Sequence, residues 1–134
     1  MGIDLGFALS TARIQGDRLI LPELLNNLID NALRYTPRGG SITVRTGEVR
    51  RLAYVEVEDS GPGIAEPERA KVVERFYRTP NSAGDGSGSG LGLAIVKEIA
   101  DYHQASLEID SSADSGGARI RVTFAQLVLA SVRV

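Results

Sequence analysis

The chain has 134 residues, no cysteine, one histidine, 43% hydrophobic and 24% charged residues, and a formal net charge of −2. That size suits one domain with a core of its own, and the composition excludes a disordered or fibrous chain. Without cysteine there is no disulfide framework or thiolate metal site, one histidine makes a multi-histidine metal centre impossible within a single chain, and the slight acidity gives no reason to expect nucleic acid.

In chain order, residues 3–9 alternate loosely and read as an edge strand, and residues 12–15 as a short second one before Gly16-Asp17. Because residues 1–9 contain Asp4 and no basic stretch, no signal peptide is expected. Residues 21–35 read as a helix, with Leu21, Leu24, Leu25, Leu28, Ala32 and Tyr35 on one stripe, Pro22 in the first turn and Pro37 with Gly39-Gly40 as the stop. Strands follow at 41–46 and 52–59, joined through Gly47. Their alternation puts Ile42, Val44, Ala53, Val55 and Val57 on one face and Thr43, Arg45, Tyr54, Glu56 and Glu58 on the other.

Residues 66–75 read as a short charged helix and residues 79–90, mostly Gly and Ser with Pro, Asn and Asp, as a long loop. A helix over 90–103 has Leu91, Ala94, Ile95, Ile99 and Tyr102 inward, and strands at 106–111 and 118–124 close the order. The longest apolar runs, such as 93–96, are far too short to span a bilayer. Strands apolar on one face and charged on the other predict an α+β, two-layer sandwich, with helices on one face of the sheet and solvent on the other. The domain is expected over 1–125, with 126–134 as a C-terminal tail.

Three stretches carry chemistry. Asn27 and Asn31, one helical turn apart, project within about 40° of each other, with Arg34 close to the same line. Their amide oxygens could ligate a hard cation such as magnesium, although alone the stripe reads equally as a solvated face. Asp59, on the core face at a strand end, needs a donor or costs several kcal/mol, and Gly61 and Gly63 let backbone approach it. The glycines from Gly84 to Gly92 run straight into a helix, whose free N–H groups and positive dipole end suit an anion, most naturally a phosphate chain. No Walker lysine follows and no dinucleotide fingerprint is present.

In that order and spacing, the segments 27–37, 59–64, 74–78 and 88–93 resemble the four nucleotide-binding boxes of the GHKL superfamily, the Bergerat ATP-binding fold. Within it they resemble the catalytic, ATP-binding domain of sensor histidine kinases. The resemblance implies ATP and Mg2+ as ligands. It implies Asn31 as the metal residue with Asn27 supporting it, these two forming the catalytic pair, and Asp59 as acceptor for the adenine amine. It further implies Gly61, Gly63 and Ile64 around the base, Arg34 and Tyr35 along the nucleotide, and Phe76 and Arg78 at a mobile lid. Gly88, Ser89, Gly90, Leu91, Gly92 and Leu93 are implied at the phosphates.

Relatives that hydrolyse ATP place a glutamate base one turn before the metal-binding asparagine. Here Asn27 occupies that position, and a neutral amide cannot take a proton from water. The resemblance therefore favours a kinase over a standalone ATPase or a non-catalytic ATP sensor. It implies phosphoryl transfer to a histidine on a separate dimerisation domain, a downstream response regulator, and no nucleic acid. It also implies no direct membrane contact by this fragment, which would be the cytoplasmic part of a membrane-bound bacterial sensor kinase. His103 reads as structural. Gln104 stands where the family usually has glycine, so a strained positive φ is expected there, and Ala118 stands where Thr or Ser is frequent.

Overall fold

The computed structural model describes residues 2–9, 21–74, 92–112 and 116–124. The strand expected at 12–15, the lid residues Phe76 and Arg78, the phosphate-loop residues Gly88, Ser89, Gly90 and Leu91, and the tail 126–134 lie outside the described residues.

In chain order the elements are β1 (Asp4–Leu9), α1 (Leu21–Tyr35), β2 (Ser41–Val49), β3 (Leu52–Asp59), α2 (Gly92–Tyr102), β4 (Ser106–Ser111) and β5 (Ala118–Thr123). The strands form one mixed sheet in the order β1-β2-β3-β5-β4, with β1 parallel to β2 and the remaining pairs antiparallel. The two helices pack on each other and on one face of this sheet, giving the expected two-layer α+β sandwich.

Helix α1 keeps its expected bounds because its apolar stripe is continuous: Leu24, Leu28 and Ala32 are buried at one-turn intervals. Glu23 in the first turn and Arg34 in the last complement the helix dipole. On α2, Leu93, Val96, Ile99 and Ala100 face inward and meet Ile42, Val44, Val57, Ile120 and Val122 of the sheet in one core.

Helix α2 ends as the sequence implied. The Ala105 N–H donates to the Ala100 carbonyl at 2.8 Å and the Gln104 N–H to that of Asp101 at 3.0 Å, the paired bonds of a Schellman stop. Gln104 occupies its left-handed position at φ 57°, where glycine would fit without strain. His103 is an anchor at the same end: its Nδ1 lies 2.8 Å from the Ile99 carbonyl oxygen and its ring is edge-on to Phe124.

Four features differ from the sequence reading. On α2 the buried residues are Leu93, Ala94, Val96, Ile99 and Ala100, whereas Tyr102, expected inward, is 69% exposed, because a helix that is apolar on most sides gives no single stripe by period. Gly47 does not join two strands; it lies inside β2 opposite Tyr54, and a Cβ on it would come within 3.0 Å of the Tyr54 hydroxyl. The turn falls instead at Arg50 and Arg51, both at positive φ, the geometry of a tight two-residue hairpin. Residues 66–74 are not an α-helix but a 3-10 turn, Glu66–Glu68, continued mainly by i→i−3 bonds such as Lys71 N–H to Glu68 O at 2.9 Å. Pro67 removes a donor, and Val72 alone of this stretch is fully buried, so no apolar stripe enforces the longer period.

The outer face of the sheet is not simply wet either. Glu56 is 2% exposed there, held by Arg45 at 3.1 Å and Arg121 at 2.8 Å, with Arg119 at 3.8 Å. The Arg121 guanidinium also lies 4.0 Å over the Tyr54 ring.

Candidate nucleotide-binding site

Asp59 ends β3 on the core face and is 5% exposed. Its Oδ1 accepts from the backbone N–H groups of Gly61 at 2.9 Å and Ala118 at 3.2 Å. Burial pushes the carboxyl above its ordinary value of 3.8, a rise to which the neighbouring Glu58 charge adds, while those two N–H groups pull the other way. The donor demanded by an inward carboxylate is thus supplied by backbone.

Glycines close around this strand end because nothing larger fits. A Cβ on Gly61 would lie 2.5 Å from the Tyr35 carbonyl oxygen, and one on Gly117 2.0 Å from the Asp59 carbonyl oxygen. Gly63 combines φ +79° with a Gly116 oxygen 2.7 Å from its Cβ position. Ser60 ties the end of β3 to the start of β2: its N–H donates to the Ser41 carbonyl at 3.0 Å, and its Oγ accepts from the Ser41 N–H at 2.8 Å.

Helix α1 carries the second group. The Asn27 Nδ2 donates to the Glu23 carbonyl at 2.7 Å. That bond leaves Oδ1 toward the start of α2, where it is 3.8 Å from the Cβ position of Gly92. Asn31, one turn on, is 7% exposed. Among the described residues no hydrogen bond engages its amide, so its oxygen is a candidate ligand for a hard cation. The donor set therefore fits magnesium, which takes one or two protein oxygens and completes its shell with phosphate and water.

Gly92 opens α2, whose first-turn N–H groups lack helical partners. From Tyr35, whose carbonyl abuts Gly61, back to Asn27, which faces Gly92, the helix runs eight residues. At 1.5 Å per residue this is about 12 Å, a span that a nucleoside triphosphate covers from base to γ-phosphate.

The remaining expected residues fall as follows. Arg34 is exposed and Tyr35 half-buried on α1. Ile64 packs against the core, and its carbonyl accepts from Arg69 Nε at 3.1 Å. Leu93 is 6% exposed within the core, so it supports α2 from beneath.

The sequence reading missed Ser60, Gly117 and the Ala118 N–H as partners of the Asp59 end. Position 118 drew attention for the hydroxyl its side chain lacks, whereas its backbone donates the bond. The Gly116-Gly117 pair was the available signal, since paired glycines before a strand mark a close backbone approach.

Comparison with known proteins places the chain in a family. Residues 16–127 match the family described as histidine kinase-, DNA gyrase B-, and HSP90-like ATPase. The sensor histidine kinase CusS of Escherichia coli (strain K12) is 42% identical over 123 residues, covering 91% of this chain and 25% of its own length. Among solved structures, the mycobacterial sensor histidine kinase MprB superposes with a TM-score of 0.84 at 33% identity, over 92% of this chain and 83% of that one. Full-length ShkA in complex with AMPPNP gives a TM-score of 0.75 at 27% identity, over 92% of this chain and 25% of that one.

The chain belongs to the histidine kinase-, DNA gyrase B- and HSP90-like ATPase family. Within that family its similarity is to the catalytic, ATP-binding domain of sensor histidine kinases. It spans about a quarter of the length of the curated relatives it matches. Among the described residues no helix is long and apolar enough to cross a membrane.

Proposed function

We propose that this domain binds Mg-ATP between α1, the Asp59 end of β3 and the start of α2, and donates the γ-phosphoryl group to a histidine on a separate dimerisation domain. The observation that carries the reading is Asp59: a buried, inward carboxylate fixed by two backbone N–H groups. Such an acceptor suits an exocyclic amine and rejects the carbonyl oxygen that guanine would present.

Asn31, with Asn27 beside it, would hold magnesium, which supplies charge neutralisation on the β- and γ-phosphates. The protein's own groups bind and orient: Asp59 sets the base, α1 sets the distance to the phosphates, and the first turn of α2 offers N–H donors. In the transfer the histidine nitrogen bonds to the γ-phosphorus as its bond to the β–γ bridging oxygen breaks. ADP leaves, and the imidazole N–H proton passes to solvent or to a base on the partner.

With Asn27 in place of a carboxylate, water has no base at that position, which favours transfer over hydrolysis. The whole kinase would be a bacterial membrane sensor with this domain on its cytoplasmic side, phosphorylating a response regulator.

The test has two arms. Asp59→Asn should weaken ATP binding by about 1–3 kcal/mol in calorimetric titration, the scale of a charge-assisted hydrogen bond, and unchanged affinity would remove Asp59 from the base site. Tethering the domain to a histidine-bearing helical dimerisation domain should give acid-labile phosphohistidine. Sustained phosphate release by the isolated chain near one per second, without phosphohistidine, would replace the kinase reading by an ATPase.

A further inference from the structure

Asp59 does not hold its geometry alone, and the group that fixes it lies outside every motif read from the sequence. Ser112, just past β4, is 4% exposed, and its hydroxyl donates to Glu58 Oε2. The other Glu58 oxygen, Oε1, accepts from Arg45 of β2. Burial alone would push the Glu58 carboxyl up, but the bonds from Ser112 and Arg45 outweigh it and hold it below its ordinary value.

Ser112 is also bound through its backbone to the turn that follows. Its N–H donates to the Gly117 carbonyl at 2.7 Å, and its carbonyl accepts from the Gly116 N–H at 3.1 Å. Gly117 packs on the Asp59 backbone, and the next residue, Ala118, donates the second bond to Asp59 Oδ1. One polar path therefore runs from Arg45 through Glu58 and Ser112 to the backbone that aims the carboxylate.

We propose that Ser112, anchored by Glu58, is a positioning residue for base recognition: it pins the Gly116–Ala118 backbone so that Asp59 presents its carboxylate to the exocyclic amine of the purine. This rests on the reading of Asp59 as the base acceptor. Ser112 reaches the base only through the backbone of residues 116–118 and is not a catalytic residue. A serine suits the task because a buried hydroxyl that loses its acceptor costs more than the bond is worth, so the turn has one preferred seat.

The experiment measures affinities of the 134-residue chain for Mg-ATP and for purine riboside triphosphate, which lacks the exocyclic amine. Ser112→Ala should weaken ATP about five- to tenfold, most of the effect of one hydrogen bond, while changing the amine-free analogue less than about twofold. Ser112→Thr, which keeps the hydroxyl, should restore the ratio. The double variant Asp59→Asn with Ser112→Ala should bind ATP no more weakly than Asp59→Asn alone, since both act through one carboxylate.

Equal weakening of both nucleotides, or additive losses in the double variant, would make Ser112 a general structural residue and overturn the proposal. If Ser112→Ala does not fold, Ser112→Cys, nearly the same size with a weaker donor, reads the same ratio. If Asp59→Asn weakens ATP and Ser112→Ala leaves it unchanged, only the role of Ser112 falls. If Asp59→Asn itself has no effect, the base assignment and this proposal fall together.

Discussion

The two faces of the sheet are buried by different physics. On the inner face Ile42, Val44, Val57, Ile120 and Val122, all at or below 3% exposure, are covered by Leu28, Val96 and Ile99 of the helices. On the outer face among the described residues no helix lies above Glu56, yet it is 2% exposed, roofed by arginines from β2 and β5. The inner face gains from removing apolar area from water, which needs no particular geometry. The outer face gains only when opposite charges meet across strands, which needs the right register. Asp59 is a charged residue set into the apolar side, at the candidate site.

The largest effect should come from breaking the inner face. Ile42→Ala leaves a cavity under the helices and should cost about 2–5 kcal/mol in denaturant unfolding, with little dependence on salt. Glu56→Gln removes the charge that three arginines share. Those guanidiniums can turn to water, so the cost should be smaller, about 1–3 kcal/mol, and the gap from the parent should narrow in 1 M salt. A loss at Glu56 as large as at Ile42 and insensitive to salt would mean that the outer face is held by packing, not charge.

A third change touches neither face and calibrates both. Gln104→Gly relieves a left-handed non-glycine residue and should stabilise by about 1 kcal/mol at any salt concentration. No gain would mean that the Gln104 side chain supplies compensating contacts.

Asp59→Asn sharpens the contrast further, because a carboxylate on the apolar face costs stability when charged. Its folded pKa is raised, so upward from about 3.8 the folded state holds its proton longer than the unfolded chain, and stability contributed by that proton is lost as pH rises. The variant should therefore melt slightly higher than the parent at pH 7, with the difference shrinking as pH falls through this window, while binding ATP less well. A parent that melts above Asp59→Asn at neutral pH would contradict the sign. The smallest effect belongs to an exposed pair on α2: Lys97→Ala removes a 2.7 Å bridge to Asp101 and should change stability by no more than about 0.5 kcal/mol.

How much of this was legible can be followed residue by residue. The bounds of α1, β3 and β4 follow from period alone, and so does the inward direction of Asp59, because a strand that buries Val57 must bury the residue two further on. The positive φ of Gln104 was legible from the family resemblance. The hairpin turn was not, because Arg50-Arg51 carries none of the usual turn residues, and Gly47 offered a false signal whose real cause is the Tyr54 ring across the ladder. The expected helix at 66–75 failed because charge and propensity cannot hold a helix that lacks an apolar stripe.

The sequence by itself determined which residues of α1, β2 and β3 face the core, since side-chain direction is locked to backbone period within one element; on α2, apolar on most sides, period left the buried stripe open. It also determined the order of the boxes that places this chain in its family. Only the tertiary structure decided who meets whom. The register that sets Glu56 beside Arg121, the bond from Ser112 to Glu58 and the bond from Ala118 to Asp59 each join residues more than fifty positions apart. Such contacts depend on how strands slide and twist against one another, a choice made by the summed packing of the whole sheet and visible in no single stretch of it.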